Sequence, residues 1–82
     1  MNLGEIIRIT RKKAFCTQED FAKKLDVAPS TVNRWELNKA KPNMKAMKAI
    51  KRFCEENNIL YEPVEREWLN YTQEEKNGTA CI

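Results

Sequence analysis

The chain has 82 residues, 41% hydrophobic and 33% charged, with a formal net charge of +3. That length bounds it to one small domain with a modest core, and no run approaches the ~20 apolar residues of a membrane span. The charge is uneven: residues 1–52 carry 13 Lys and Arg against 5 Asp and Glu, net +8, whereas residues 53–82 carry 2 against 7, net −5. The first part has the balance of a polyanion-binding surface, or of an ordinary solvated lysine-rich one; the tail has neither. The N-terminus "MNLGEIIRITRKK" lacks the long apolar segment of a signal peptide, so a cytoplasmic protein is expected.

Leu3, Ile6, Ile7 and Thr10 recur at helical spacing and predict a first helix over residues 2–13. "TQEDFAKKL" predicts a second, with Thr17 as cap, Asp20 three residues on as a variant capping box, and Phe21, Ala22 and Leu25 as its buried stripe. "DVA" reads as a three-residue turn. Pro29 then suits the first position of a third helix, where a missing N–H is no loss, and leaves Ala28 as a weak cap. This helix runs to about Leu37. "NKAKPN" is a loop in which Asn38 accepts a left-handed conformation and Pro42 blocks continuation. Met44, Met47, Ile50 and Cys54 space a fourth helix over about 43–56, which "ENN" ends. "ILYEP" has the composition of an extended segment, "VEREWLNY" that of two helical turns, with Pro63 separating them, and "TQEEKNGTACI" reads as a polar fraying end. The expected architecture is an all-α, compact four- to five-helix domain. Residues 1–58 form its body and residues 59–82 an acidic tail with a short helix. The tight connection between the second and third helices suits an angled helix-turn-helix unit.

Chemistry narrows the function. No histidine, glycine-rich phosphate loop or plausible acid pair is present, so an enzyme is not expected. Cys16, Cys54 and Cys81 are scattered without a CxxC, so no metal or other cofactor is expected, and Cys16 and Cys54 read as small buried hydrophobes. At ~100° per residue, Ser30, Asn33 and Arg34 fall on one side of the third helix, with Leu37 beside them, and Val32 and Trp35 on the other. A hydroxyl, an amide and a guanidinium facing outward suit base edges in a major groove. Trp35, beside Val32, reads as core.

The segment "LGEIIRITRKKAFCTQEDFAKKLDVAPSTVNRWELNKAKPNMKAMKAI" resembles the phage-repressor-like helix-turn-helix family of Cro and the lambda and 434 repressors. The likeness covers roughly residues 3–57; "TQEDFAKKLDV" and the "STVNRWE" run with the following "KAKP" are its specific parts. It implies a sequence-specific DNA-binding domain, usually dimeric and often a repressor, in a bacterium or phage. It implies that Pro29, Ser30, Asn33 and Arg34 occupy base-reading positions. Thr17 and Gln18, at the start of the second helix, and Lys39 and Lys41, in the loop, would lie near phosphates; a helix N-terminus attracts an anion and loop lysines add sequence-independent attraction. Arg11 and Glu36 correspond to positions that often pair, tying the first helix to the end of the third.

Four residues depart from the family pattern. Pro29 stands where glutamine often reads adenine, and either lays its ring on a thymine methyl or merely starts the helix. Leu37 replaces a polar phosphate contact. Asn38 replaces a glycine that asparagine can mimic. Phe15 replaces the glycine after the first helix, so that corner is expected to differ locally. Double-stranded DNA bearing a pseudo-palindromic operator is the expected partner, bound by a weak homodimer or by a dimer that forms on the DNA. Trp68 and Leu69 would pack on the domain or join a dimer patch with Tyr61 and Val64. The alternative is a protein-interaction module on the same fold, such as an antitoxin or adaptor.

Overall fold

The computed structural model describes residues 1–71. Five α-helices follow in chain order: α1 (Leu3–Lys13), α2 (Gln18–Leu25), α3 (Pro29–Glu36), α4 (Met44–Glu56) and α5 (Glu62–Leu69). Among the described residues no strand occurs. The expected fraying of "TQEEKNGTACI", and with it Cys81, lies outside the described residues.

Local chemistry sets where each helix begins. Asn2 closes a reciprocal capping box at α1: its Oδ1 accepts from Glu5 N at 2.9 Å, and Glu5 Oε1 accepts from Asn2 N at 3.0 Å. Thr17 Oγ1 accepts from Asp20 N at 3.0 Å, and Asn43 Oδ1 from Ala46 N at 2.8 Å. Of the expected box at α2, the threonine half is seen. α3 has no side-chain cap and starts on Pro29. α5 has none either, and here the structure corrects the sequence reading. Pro63 does not separate an extended segment from a helix; the helix starts at Glu62 and Pro63 sits inside its first turn, where no intrahelical N–H is needed.

The first four helices end in the same way. A left-handed residue follows or forms the C-cap: Phe15 at φ 57°, Asp26 at φ 60°, Asn38 at φ 62° and Asn58 at φ 57°. In each case the next N–H reaches back five residues, Cys16 to Arg11 O at 3.2 Å, Val27 to Ala22 O at 3.0 Å, Lys39 to Arg34 O at 2.9 Å and Ile59 to Cys54 O at 2.8 Å. These Schellman closures satisfy otherwise orphaned carbonyls, and they usually employ glycine. Asn and Asp adopt this conformation at small penalty; phenylalanine does not. The corner at Phe15 therefore keeps the geometry a glycine would give, contrary to the expected local difference, and carries backbone strain in a side chain that is 95% exposed.

The core is one cluster. Leu3 and Ile7 of α1, Phe21 and Leu25 of α2, Val32 and Trp35 of α3, and Ile50 and Phe53 of α4 meet in it, and Val64 brings α5 into the same body. Phe21 and Phe53 pack edge to face, centroids 5.0 Å apart. Burying each such side chain contributes about 1.5–3 kcal/mol. The α1–α3 crossing depends on Gly4: a Cβ there would lie 2.6 Å from Glu36 O and 2.7 Å from Trp35 O, so alanine would push the helices apart. Cys54 is fully buried, and desolvation pushes its thiol up to about 11. Cys16 is only half-buried, less than expected. Of the residues expected to pack or to form a dimer patch, Val64 is fully buried, Tyr61 and Trp68 are half-buried, and Leu69 is exposed.

Candidate nucleic-acid interface

Asp26, Val27 and Ala28 turn the chain from α2 into α3, and the left-handed Asp26 makes that turn possible. On α3 the wheel is realised. Val32 and Trp35 are buried, while Pro29, Ser30, Asn33 and Arg34 are all exposed on the opposite side. The buried pair anchors the helix in the core, so its polar face is presented by a rigid element.

A polar network fixes α3 to α1 and α2. Glu36, whose side chain is 2% exposed, receives Arg11 Nε on Oε2 at 2.6 Å and Arg11 Nη2 on Oε1 at 3.0 Å. Arg11 Nη1 donates to Cys16 O at 2.9 Å, which also ties the strained corner to the network. The hydrogen bond to Glu36 is the largest cause that raises the Arg11 guanidinium above its usual pKa, against desolvation, which lowers it. Arg8 approaches the same carboxylate at 3.7 Å from a half-exposed position.

Gln18 extends the network to the outward face. Its Nε2 donates to Glu36 Oε1 at 3.0 Å and to Asn33 Oδ1 at 3.3 Å. The amide expected near a phosphate is thus turned toward α3, which leaves the backbone N–H groups of the first turn of α2 as that helix's anion donors. Asn33 keeps its two Nδ2 donors and one Oδ1 lone pair, the set an adenine edge engages. Thr17 accepts the cap bond and retains its hydroxyl proton.

The loop after α3 carries Lys39 and Lys41, both exposed. Between α3, this loop and the start of α4 lies an open cleft of about 290 Å³, with Thr31, Arg34, Lys41 and Asn43 on its polar side and Trp35 at its floor. Lys41 Nζ stands 4.4 Å from the centroid of the Trp68 ring. The structure therefore gathers Thr17, Gln18, Pro29, Ser30, Asn33 and Arg34 on the α2–α3 unit, with Lys39 and Lys41 on the adjoining loop.

Several ties escape the sequence. Gly4 N donates to Asn38 Oδ1 at 3.3 Å, so the residue that closes α3 also receives the start of α1. Gln18 links Glu36 to Asn33, and Trp68 of α5 and Tyr71, just beyond it, reach the loop. Each joins positions far apart in sequence, and only the helix crossings bring them together.

Five helices among the described residues, a three-residue turn that joins α2 to α3 and an exposed polar face on α3 define a helix-turn-helix protein. Residues 7–56 match the model of the helix-turn-helix family. The match spans more than half of the chain, which belongs to this family, of the type found in the Cro, lambda and 434 repressors. It is a DNA-binding helix-turn-helix regulator. Neither a curated protein nor a solved structure matches the chain. Among the described residues no helix is long and apolar enough to cross a membrane.

Proposed function

We propose that the protein is a sequence-specific transcriptional repressor that reads the major groove with α3. The carrying observation is the exposed face of Ser30, Asn33 and Arg34, backed by buried Val32 and Trp35 and tied to α1 and α2 through Glu36. Asn33 pairs with an adenine edge and Arg34 with a guanine, Ser30 serves either donors or acceptors, and the Pro29 ring lies against a thymine methyl. The first turn of α2 at Thr17 and Gln18, with Lys39 and Lys41, meets the phosphates on either side of the groove. Arg34 and Lys41 border one open cleft of about 290 Å³, which supports a phosphate path between them.

One recognition helix spans only a few base pairs. Two copies on a pseudo-palindrome place their helices one DNA turn apart, ~34 Å. For pairing, the supporting surface is the α4–α5 groove of about 240 Å³ with Met44 and Leu69 at its edge, each 68% exposed. Lys48 and Lys51 stand on its α4 side and Glu65 on its α5 side, a self-complementary distribution for a two-fold contact. Such a patch is small, so the protein is mostly monomeric in dilute solution and pairs on its operator.

Selection of bound sequences from a random DNA pool tests this reading. An enriched palindrome with an adenine and a guanine in each half-site is the expected result. A pool that stays random would overturn sequence-specific recognition and favour a protein-interaction role for the same fold.

A further inference from the structure

We infer that α5 is a brace for the DNA-facing loop, and that Trp68 is a positioning residue for the phosphate contact of Lys41. The inference rests on the proposed DNA reading and adds to it a part for residues beyond the family match, which ends at residue 56. The loop between α3 and α4 contains no regular hydrogen-bond ladder, and α5 together with Tyr71, two residues past its end, ties it near both ends. Tyr71 Oη donates to Asn38 O at 3.3 Å, just after α3. Trp68 Nε1 donates to Pro42 O at 2.6 Å, just before α4. Pro42 itself is fully buried, with no N–H to leave unpaired. The two carbonyls that Trp68 and Tyr71 hold bracket Lys39 and Lys41.

The same two aromatic rings act on the lysine. Lys41 Nζ lies 4.4 Å from the Trp68 centroid and 5.9 Å from that of Tyr71. An ammonium over an indole face is attracted by the ring quadrupole, weakly where water reaches it. The ring thus limits where the flexible lysine stem goes without neutralising its charge, as a carboxylate partner would. A DNA phosphate, carrying full charge, outcompetes the ring. Lys41 also borders the cleft that contains Arg34, so the brace sets the distance between a base-reading guanidinium and a phosphate-binding ammonium.

The experiment uses the full chain and a short random-sequence DNA duplex, whose binding depends on phosphate contacts alone. Affinity is measured across a salt series for the wild type, Lys41→Ala, Trp68→Leu, and Lys41→Ala/Trp68→Leu. Lys41→Ala should reduce the magnitude of the log–log salt slope by about 0.9. Trp68→Leu should reduce it by a similar amount, and the double variant should fall no further, because both changes remove one contact. A merely structural role for Trp68 predicts lower affinity at every salt concentration with the slope of the remaining contacts preserved. If Trp68→Leu does not fold, Trp68→Phe keeps a smaller aromatic face and removes the N–H to Pro42; it should retain helical circular dichroism with a reduced slope. An unchanged slope in the folded Trp68 variant, additive slope losses in the double variant, or tighter binding without the indole would each overturn the brace. Wild type that binds no duplex would overturn the DNA reading itself, and the brace with it.

Discussion

Arg11 holds Glu36 through two parallel hydrogen bonds, at 2.6 and 3.0 Å, across the junction of α1 with the end of α3. The carboxylate is almost wholly removed from water, and Gln18 adds a third donor. Desolvating two charges offsets most of what their attraction returns, so the pair is chiefly a device of register. Breaking one side is another matter, because a buried lone charge remains. Arg11→Met should lower stability by about 3 kcal/mol, at the low end for such sites because Gln18 and nearby Arg8 still address Glu36. The double change Arg11→Met/Glu36→Leu should lose less than the single change. Denaturant melts of these variants and of Glu36→Leu alone check this; additive losses would show that the two side chains act independently.

Phe15 bears on stability in the opposite sense. It occupies a left-handed position at φ 57° with 95% of its surface exposed, so it has strain to relieve and little packing to lose. Phe15→Gly should stabilise the fold by about 1 kcal/mol, the left-handed penalty of an L-residue less the entropy glycine brings to the unfolded chain. Phe15→Asn should gain part of that. Thermal unfolding of both variants reads the effect, and a lower midpoint for the glycine variant would mean that the ring makes a stabilising contact.

The buried thiol of Cys54 supplies a pH dependence. Burial raises it from 9.0 to about 11 in the folded protein. Below pH 9 the thiol is protonated in both states. Between the two values the unfolded chain releases the proton and the folded one retains it, so stability falls as pH rises and the loss is complete above the folded pKa. The effect amounts to at most about 3 kcal/mol. Cys54→Ala is less stable at neutral pH, since it leaves a small cavity, but its stability should decline less steeply between pH 9 and 11. Parallel slopes for the two proteins would remove the thiol from the alkaline transition.

These residues also mark how far the sequence could be read. The four helices through residue 56, the exposed face of α3 and the left-handed Asn38 follow from periodicity, proline position and turn chemistry, because those signals act within a few residues. Pro63 was misleading for the same local reason: a proline reads as a break or as a first-turn residue, and packing of Val64 into the core favours the second. Gly4 shows the harder limit. Its lack of a side chain matters because the end of α3, at Glu36, crosses 32 residues away in sequence, and nothing near it says so. The site divides likewise. Outward positions on one helix were legible, whereas the turning of the Gln18 amide toward Asn33 and the ties from Trp68 and Tyr71 depend on how separate helices meet.

That turning has a consequence for specificity. Arg34→Ala or Asn33→Ala should cost about 1–3 kcal/mol on the preferred operator and relax preference at one base pair per half-site. Gln18→Ala leaves the Asn33 amide without its 3.3 Å donor, and should weaken discrimination at the Asn33 base pair while leaving the Arg34 base pair intact. Binding to a panel of single-base operator variants separates these. Equal losses on selected and random DNA would reduce Asn33 and Arg34 to phosphate contacts.

Pairing on DNA should depend on Leu69 and Met44 rather than on Trp68. The indole N–H is committed to Pro42 and one face of its ring to Lys41, and Val64 is sealed in the core, so the half-buried Trp68 offers a second copy less than the exposed edge of the groove does. Leu69 and Met44 are each 68% exposed at the edge of the α4–α5 groove, and an isologous contact would bury both twice. A charge placed there meets its own image across the two-fold axis. Leu69→Glu should therefore abolish cooperative filling of a full palindrome while leaving half-site affinity within about a factor of two, since a surface change away from such a contact stays within about 0.5 kcal/mol. Trp68→Leu should do the reverse, lowering half-site affinity through the loop. Titration of full and half sites with each variant, alongside sedimentation of the free protein, distinguishes them. Cooperativity that survives Leu69→Glu would move the contact away from this groove. Non-cooperative binding by the wild type would remove the dimer altogether.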